Sequence, residues 1–247
     1  MGSLGDGALF GRAWTPLILL FTFPAVAFTG LIYGFLLAWV SVLGAVQSLY
    51  LLYPPYNFNS AQIGLFNLSG LVGGIIDSII GGPLTDWLAI TISRRNHGIY
   101  EPEYRLYLGT PTACLCAAGL LLFGFELEQG ASWVVLAIST AIYCIGLGLG
   151  SDIALTYLTD CYQDIIGDAF VAVAFVRNAI SIIIMFVFTP WIDGMGIKST
   201  FILCGVLAFV SLNICIPMIM FGKKARIHTA ERYKYYAGLQ PLSRDRH

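Results

Sequence analysis

Six long apolar runs, separated by short polar connections, leave this chain few ways to fold. They are Pro16–Tyr50, Ala61–Leu84, Leu106–Phe125, Trp133–Leu158, Ala169–Ile192 and Thr200–Phe221. A hydrocarbon core of ~30 Å is crossed by roughly 20 apolar residues in a helix. A helix satisfies its own backbone hydrogen bonds, which lipid cannot do. Each run is long enough, and the first has length to spare for a tilt or a break. Only 11% of the 247 residues are charged, against about 25% in soluble domains, so a water-facing surface of this size is excluded. The first run is too long for a signal-peptide core and no convincing cleavage site follows it. The pattern predicts an all-α polytopic membrane protein with six transmembrane helices. Its parts are a cytoplasmic N-terminal segment at 1–13, a six-helix domain at 14–222 and a basic cytoplasmic tail at 223–247.

Orientation follows from Lys and Arg. An even number of crossings puts both termini on one side. That side receives Arg12, Arg94, Arg95 and Arg105, and the tail residues Lys223, Lys224, Arg226, Arg232, Lys234, Arg244 and Arg246. The opposite side receives Lys198, because YPPYNFNS and ELEQGA hold neither Lys nor Arg. The asymmetry predicts cytosolic termini and a cytosolic loop between the second and third spans. The net charge of -1 carries no nucleic-acid signature. Cys114, Cys116, Cys144, Cys161, Cys204 and Cys215 lie mostly in apolar runs and lack redox or zinc spacing, so they read as small buried apolar residues.

The spans carry polar residues that lipid does not favour. Gly70, Gly74, Asp77 and Gly81 fall on one face of the second span, and Gly146, Gly148 and Gly150 precede Asp152 in the fourth. The glycines suit tight helix packing or a helix that bends in a transport cycle. GLGLGSD lacks dinucleotide-binding spacing. An intramembrane aspartyl protease is excluded, because Asp77 follows Ile76 rather than Tyr and Ser151 displaces Asp152 by about 100° around the helix. Acids at this depth are functional candidates: Asp77 and Asp152 either carry a coupling proton or are polar groups satisfied between helices. Arg177 and Asn178 lie within the fifth span. Asp160 sits at the end of the fourth, where the negative end of the helix dipole calls for a cation. Arg177 is the expected partner, with a snorkelling Arg177 and a solvated Asp160 as the alternative. No nucleophile with a base, no phosphate loop and no metal constellation is found. His97, His228 and His247 lie far apart in the chain, and no enzymatic step is implied.

These residues resemble a known family. GGPLTD resembles the G-x-L-x-D core of the cytoplasmic loop signature of the major facilitator superfamily, through Gly82, Leu84 and Asp86. RRNHGIYEPEYRL is similar to the loop between the eighth and ninth helices of fungal members of the drug and polyamine proton-antiporter type. YPPYNF, TYLTDCY and FVRNAI…TPW extend the likeness over about Pro16 to Phe221. The chain departs from the full signature, with Trp87 after Asp86, Ala89 at a glycine position, and Arg94-Arg95 later than the usual basic pair.

The resemblance implies that the six helices are equivalent to helices 7–12, the C-terminal half of a twelve-helix transporter. It implies proton-coupled antiport of small organic or cationic solutes, by alternating access, at the plasma membrane and without a cofactor. The partners would be the lipid bilayer, the solute, protons, and a second six-helix half or a homodimeric copy. The loop residues Gly82, Leu84, Asp86, Arg94, Arg95, Glu101, Glu103 and Arg105 would form a gate. The first span would line the solute path through Tyr33, Trp39 and Gln47, unless Trp39 faces lipid and Tyr33 packs on a neighbour, and Gly34 would let it break. Gln47, Asp77, Asp152 or Arg177 would then face the absent half. A transport-inactive membrane protein or six-helix scaffold is the alternative reading.

Overall fold

The computed structural model describes residues 14 and 16–238. The segment 1–13 with Arg12, and the end of the tail with Arg244, Arg246 and His247, lie outside the described residues. Within them the chain is helical and contains no β-strand.

Helix α1 spans Pro24–Tyr50. The predicted first run is interrupted at Phe23, whose backbone is extended, and Pro24 restarts the helix at a first-turn position where its missing N–H costs nothing. Gly34 does not break α1. Its missing Cβ instead admits Ile180, whose Cδ1 would lie 2.7 Å from such an atom. The second run becomes a short helix α2, Ser60–Phe66, and a long helix α3, Leu68–Arg95. Asn59 and Gln62 cap α2 reciprocally, each side chain accepting from the other's backbone N–H at 2.8 Å. Helix α3 continues well past the predicted end of its span, so Gly82, Leu84, Asp86, Arg94 and Arg95 are helical rather than in a loop.

A 3-10 helix, Pro102–Leu108, leads into α4, Gly109–Glu128. Helix α5 spans Trp133–Cys161. Helix α6, Ile166–Leu212, and helix α7, Cys215–Gly238, complete the described residues. Among the described residues, five helical stretches are long and apolar enough to cross a membrane, the last running 76 residues from Gln163 to Gly238. At ~1.5 Å per residue that stretch would be several times thicker than a bilayer core. It doubles back at Gly196, whose φ of 77° is open to glycine at no steric cost. Thr200 Oγ1 closes the reversal by donating to the Trp191 carbonyl at 3.1 Å. Gln163–Gly238 therefore supplies two crossings, and the chain has the helices of a multi-pass integral membrane protein.

Helix α1 packs between α5 and the first arm of α6, α4 between α5 and the second arm of α6, and α3 against α5. The start of α1, the end of α3, the 3-10 helix, the end of α5 and α7 meet at one end of the bundle. Arg105, Lys223 and Arg226 gather there. Lys198 lies at the opposite end over the Phe125 ring, beside which the loops are tied by Tyr56, whose hydroxyl donates to the Ala131 carbonyl at 2.7 Å. Residues 223–238, the described part of the basic tail, continue the α7 helix without interruption. Of the cysteines, Cys116, Cys204 and Cys215 are buried and Cys144 and Cys161 half-buried, while Cys114 is exposed, in a position where lipid suits a small apolar side chain.

Candidate functional site

Two polar sites stand out. The first is at the basic end. Arg105 projects from the 3-10 helix between two long helices. Its Nη1 donates to Asp86 Oδ1 of α3 at 2.7 Å, and its Nε to Asp160 Oδ2 of α5 at 2.9 Å. The Nε also lies 3.1 Å from the Tyr100 hydroxyl, which itself donates to Asp160. One guanidinium therefore ties together α3, α5 and their connection, which its fork of donors suits. Burial alone would pull the Arg105 pKa down, but hydrogen bonds to Tyr100 and Asp86 and the charge of Asp160 outweigh it and leave the group above its ordinary value. Burial, and then the bond to Asp160, push the Tyr100 phenol up to about 12.

This corrects the expected Arg177–Asp160 pair. Asp160 does take the cation that its place at a helix C-terminus calls for, but from Arg105. Arg177 lies with its guanidinium carbon 5.2 Å from the centre of the Tyr33 ring, a cation–π contact, and its Nε is buried without a hydrogen-bond partner. Tyr33 thus supports Arg177. Asn178, the next residue, is exposed.

Glu101 and Glu103, on the same connection, face the other way. Glu101 is bonded by Lys223. Glu103, only 3% exposed, accepts from Arg226 through both oxygens, Nε to Oε1 at 3.0 Å and Nη2 to Oε2 at 2.8 Å. Arg94 and Arg95 close α3 in its last turn, where cations oppose the negative dipole end. Leu84 is half-buried, and a side chain at Gly82 would meet nothing within 4 Å.

The second site lies within the bundle, between α3 and α5. Asp77 is 6% exposed and its Oδ1 has no hydrogen-bond partner. The carboxyl lies in a slot left by two glycines: a Cβ on Gly148 would fall 1.9 Å from Oδ2, and one on Gly81 2.3 Å from Oδ1. Asp152 lies one turn beyond Gly148 on α5. Most of the expected glycine face meets α5: an added Cβ on Gly70 would lie 3.3 Å from Cys144 Sγ and one on Gly81 3.1 Å from Leu149 Cδ2, and one position differs. Gly73, not Gly74, meets α5, its added Cβ falling 2.5 Å from the Ala141 carbonyl, while Gly74 is open.

The expected solute-path residues divide. Gln47 is buried and donates to Thr140 Oγ1 at 3.0 Å. Trp39 is buried and stacked near Phe35, its Nε1 without a partner, so it does not face lipid. Gln47 and Asp77 therefore do not project toward an absent half. Sequence reasoning missed Tyr100, the Arg226–Glu103 pair and the Gly148 slot. Lys223 and Arg226 share a helix face by their spacing, but nothing local in the sequence identifies an acidic partner more than 120 residues away.

The chain is 30% identical over 214 residues to Protein HOL1 of Saccharomyces cerevisiae, an alignment covering 87% of this chain and 36% of that protein. It is 31% identical over 214 residues to an uncharacterised MFS-type transporter of Schizosaccharomyces pombe, covering 87% and 37%. Quinidine resistance protein 3 of S. cerevisiae is 30% identical over 174 residues, covering 69% and 24%. The chain thus spans little more than a third of the length of the first two relatives. No family model matches it, and no solved structure does. The helices and these relatives together identify a multi-pass membrane protein of the major facilitator superfamily, resembling its fungal drug-antiporter type.

Proposed function

We propose that this chain forms one six-helix half of a transporter for small organic or cationic solutes, working as a proton-coupled antiporter by alternating access. The family supports transport, and the names of two relatives, Quinidine resistance protein 3 and MFS antiporter QDR3 of Candida albicans, point toward an organic base and toward antiport. The coverage of the relatives supports a second half, supplied by further polypeptide or by another copy of the chain. The Lys/Arg asymmetry favours cytosolic termini, and the plasma membrane is the proposed location.

The observation that carries proton coupling is Asp77. Its carboxyl is buried between two helices with one oxygen unpartnered. Ionised, it would have no donor at Oδ1, at a cost of about 1–3 kcal/mol; protonated, it is neutral. Separation of α3 from α5 would admit water and release the proton. The Asp86–Arg105–Asp160 bridge closes the cytosolic end in one state and opens in the other. Arg177 and Tyr33 form part of the wall facing the second half.

The test is flux in proteoliposomes holding the chain with a second six-helix half, under an imposed pH gradient, with quinidine as probe. The expected result is accumulation that collapses with the gradient, and that Asp77→Asn converts to gradient-independent exchange. Accumulation that keeps its gradient dependence in Asp77→Asn would remove Asp77 from the coupling. No flux in any pairing would favour a transport-inactive scaffold.

A further inference from the structure

We propose that the cytosolic part of α7 is a clamp that positions Arg105, with Glu103 and Arg226 as positioning residues for the Asp86–Arg105–Asp160 bridge. The proposal rests on the reading that this bridge opens and closes during transport. The 3-10 helix Pro102–Leu108 is seven residues long, and such short pieces have poor hydrogen-bond geometry of their own. With about three residues per turn, positions two apart point in widely different directions. Glu103 therefore faces α7 while Arg105 faces α3 and α5. Fixing one fixes the rotation of the other.

Several contacts show how firmly α7 grips. Both Glu103 oxygens are taken by Arg226, and Lys223 adds Glu101 at the start of the segment. Gly222 lets the helices touch: a Cβ there would lie 2.9 Å from the Tyr157 hydroxyl and 3.1 Å from Glu103 Oε1. Farther along, Tyr233 donates to Asp164 Oδ2 at 2.7 Å, and Thr229 lies 3.4 Å from the Tyr162 hydroxyl. The Tyr162 ring packs on Phe23 and Tyr233, with centroids 4.9 and 5.6 Å apart, and Tyr236 packs on Phe23 at 6.2 Å. The clamp thus holds the connection that carries Arg105 and, at its other end, the α5–α6 junction and the residue before α1. A shift of α1 or α6 against α5 reaches Arg105 through α7.

The experiment uses the full chain in lipid with a reporter cysteine at Tyr107, an exposed residue of the 3-10 helix, and a charged maleimide. Arg226→Glu is expected to raise the labelling rate at least about threefold, and adding Glu103→Arg to restore it. The second readout is the coupling between Asp86→Asn and Arg105→Gln, taken as their non-additivity in thermal midpoint. It is expected to fall in the Arg226→Glu background and to return with the charge reversal. A tail that only stabilises the fold would lower the midpoint and leave that coupling unchanged, which would overturn the proposal. Unchanged labelling in folded Arg226→Glu would overturn it as well. If Arg226→Glu does not fold, the charge-reversed chain decides: coupling at the parent level supports the clamp, and its loss refutes it. Neither readout needs flux, so inactivity in transport with these changes present would fault the transport reading alone.

Discussion

Helix α3 carries two aspartates nine residues apart, Asp77 and Asp86, in opposite circumstances. Asp86 is exposed, yet it is bonded to Arg105, which also holds Asp160 and Tyr100. Asp77 is buried, and one of its oxygens has no partner. Water at the bundle end would serve Asp86 well enough without a partner, so its bridge stabilises little by itself and its significance is positional. Inside the bundle an unpartnered acid is costly, so Asp77 is tolerated only in a slot shaped to it. The polar residues that a bilayer opposes most are thus the ones left least satisfied, as expected of sites where strain and function coincide.

The largest effect is expected at the slot. Gly148→Ala would put a Cβ 1.9 Å from Asp77 Oδ2, so α3 and α5 must part or the carboxyl must move. Overpacking of this kind costs about 1–3 kcal/mol, read as a lower thermal midpoint of the chain in detergent. Combining it with Asp77→Ala should recover most of the loss. A neutral Gly148→Ala would show that the contact is loose.

Next comes the bridge. Arg105→Ala leaves Asp86 and Asp160 without their cation. Because Arg105 and Asp160 are mostly but not fully buried and Asp86 is exposed, the loss is about 1–2 kcal/mol. In a double-mutant cycle Arg105→Ala and Asp160→Ala should be non-additive, whereas Arg177→Ala and Asp160→Ala should add to within about 0.5 kcal/mol. The reverse pattern would restore the Arg177 pairing that the sequence suggests.

A smaller effect separates the two aspartates directly. Asp77→Asn keeps the shape and removes the charge, and should change stability by less than about 1 kcal/mol. Asp160→Asn removes a charge that Arg105 needs and should cost more. Equal losses on a denaturation curve would erase the distinction between the two regions.

The smallest is a pH effect at Tyr100. Its folded pKa is raised, to about 12, from the ordinary value of about 10. The neutral phenol is therefore favoured by folding. Its contribution is complete below about pH 10 and is lost as pH rises through about 12. The thermal midpoint should fall over that interval, and Tyr100→Phe should reduce the slope, the remainder belonging to Tyr162 and Tyr233, whose phenols are raised as well. An unchanged slope in Tyr100→Phe would assign it to another group.

Much of the fold was legible because it depends on local sums. Length and apolarity of each run identify helices long enough for a bilayer, and Lys and Arg counts identify one end of the bundle. The breaks were legible less well. Pro24 restarts a helix that composition treats as continuous, and Asp86 lies within a helix that polarity alone would end at Leu84. Gly196 reverses the chain inside a helical stretch, while Gly34 leaves its helix unbroken. A glycine's role depends on what packs beside it, and that information is not in the glycine.

The candidate sites divide along the same line. The sequence alone marked Asp77, Asp160 and Arg177 as groups needing an explanation, because charge in or beside an apolar run is costly wherever the run sits, and Asp86 and Arg105 as members of a charged loop resembling a known signature. Which partner each receives was decided only by tertiary structure. Arg105 meets Asp160 across 55 positions, and Arg226 meets Glu103 across 123. Arg177 and Asp160 lie only 17 positions apart and do not pair, because Arg177 lies against Tyr33 on α1 and the end of α5 meets the connection carrying Arg105. Spacing along a chain constrains contacts within one helix; between helices the constraint comes from how their surfaces fit, a property of the whole bundle.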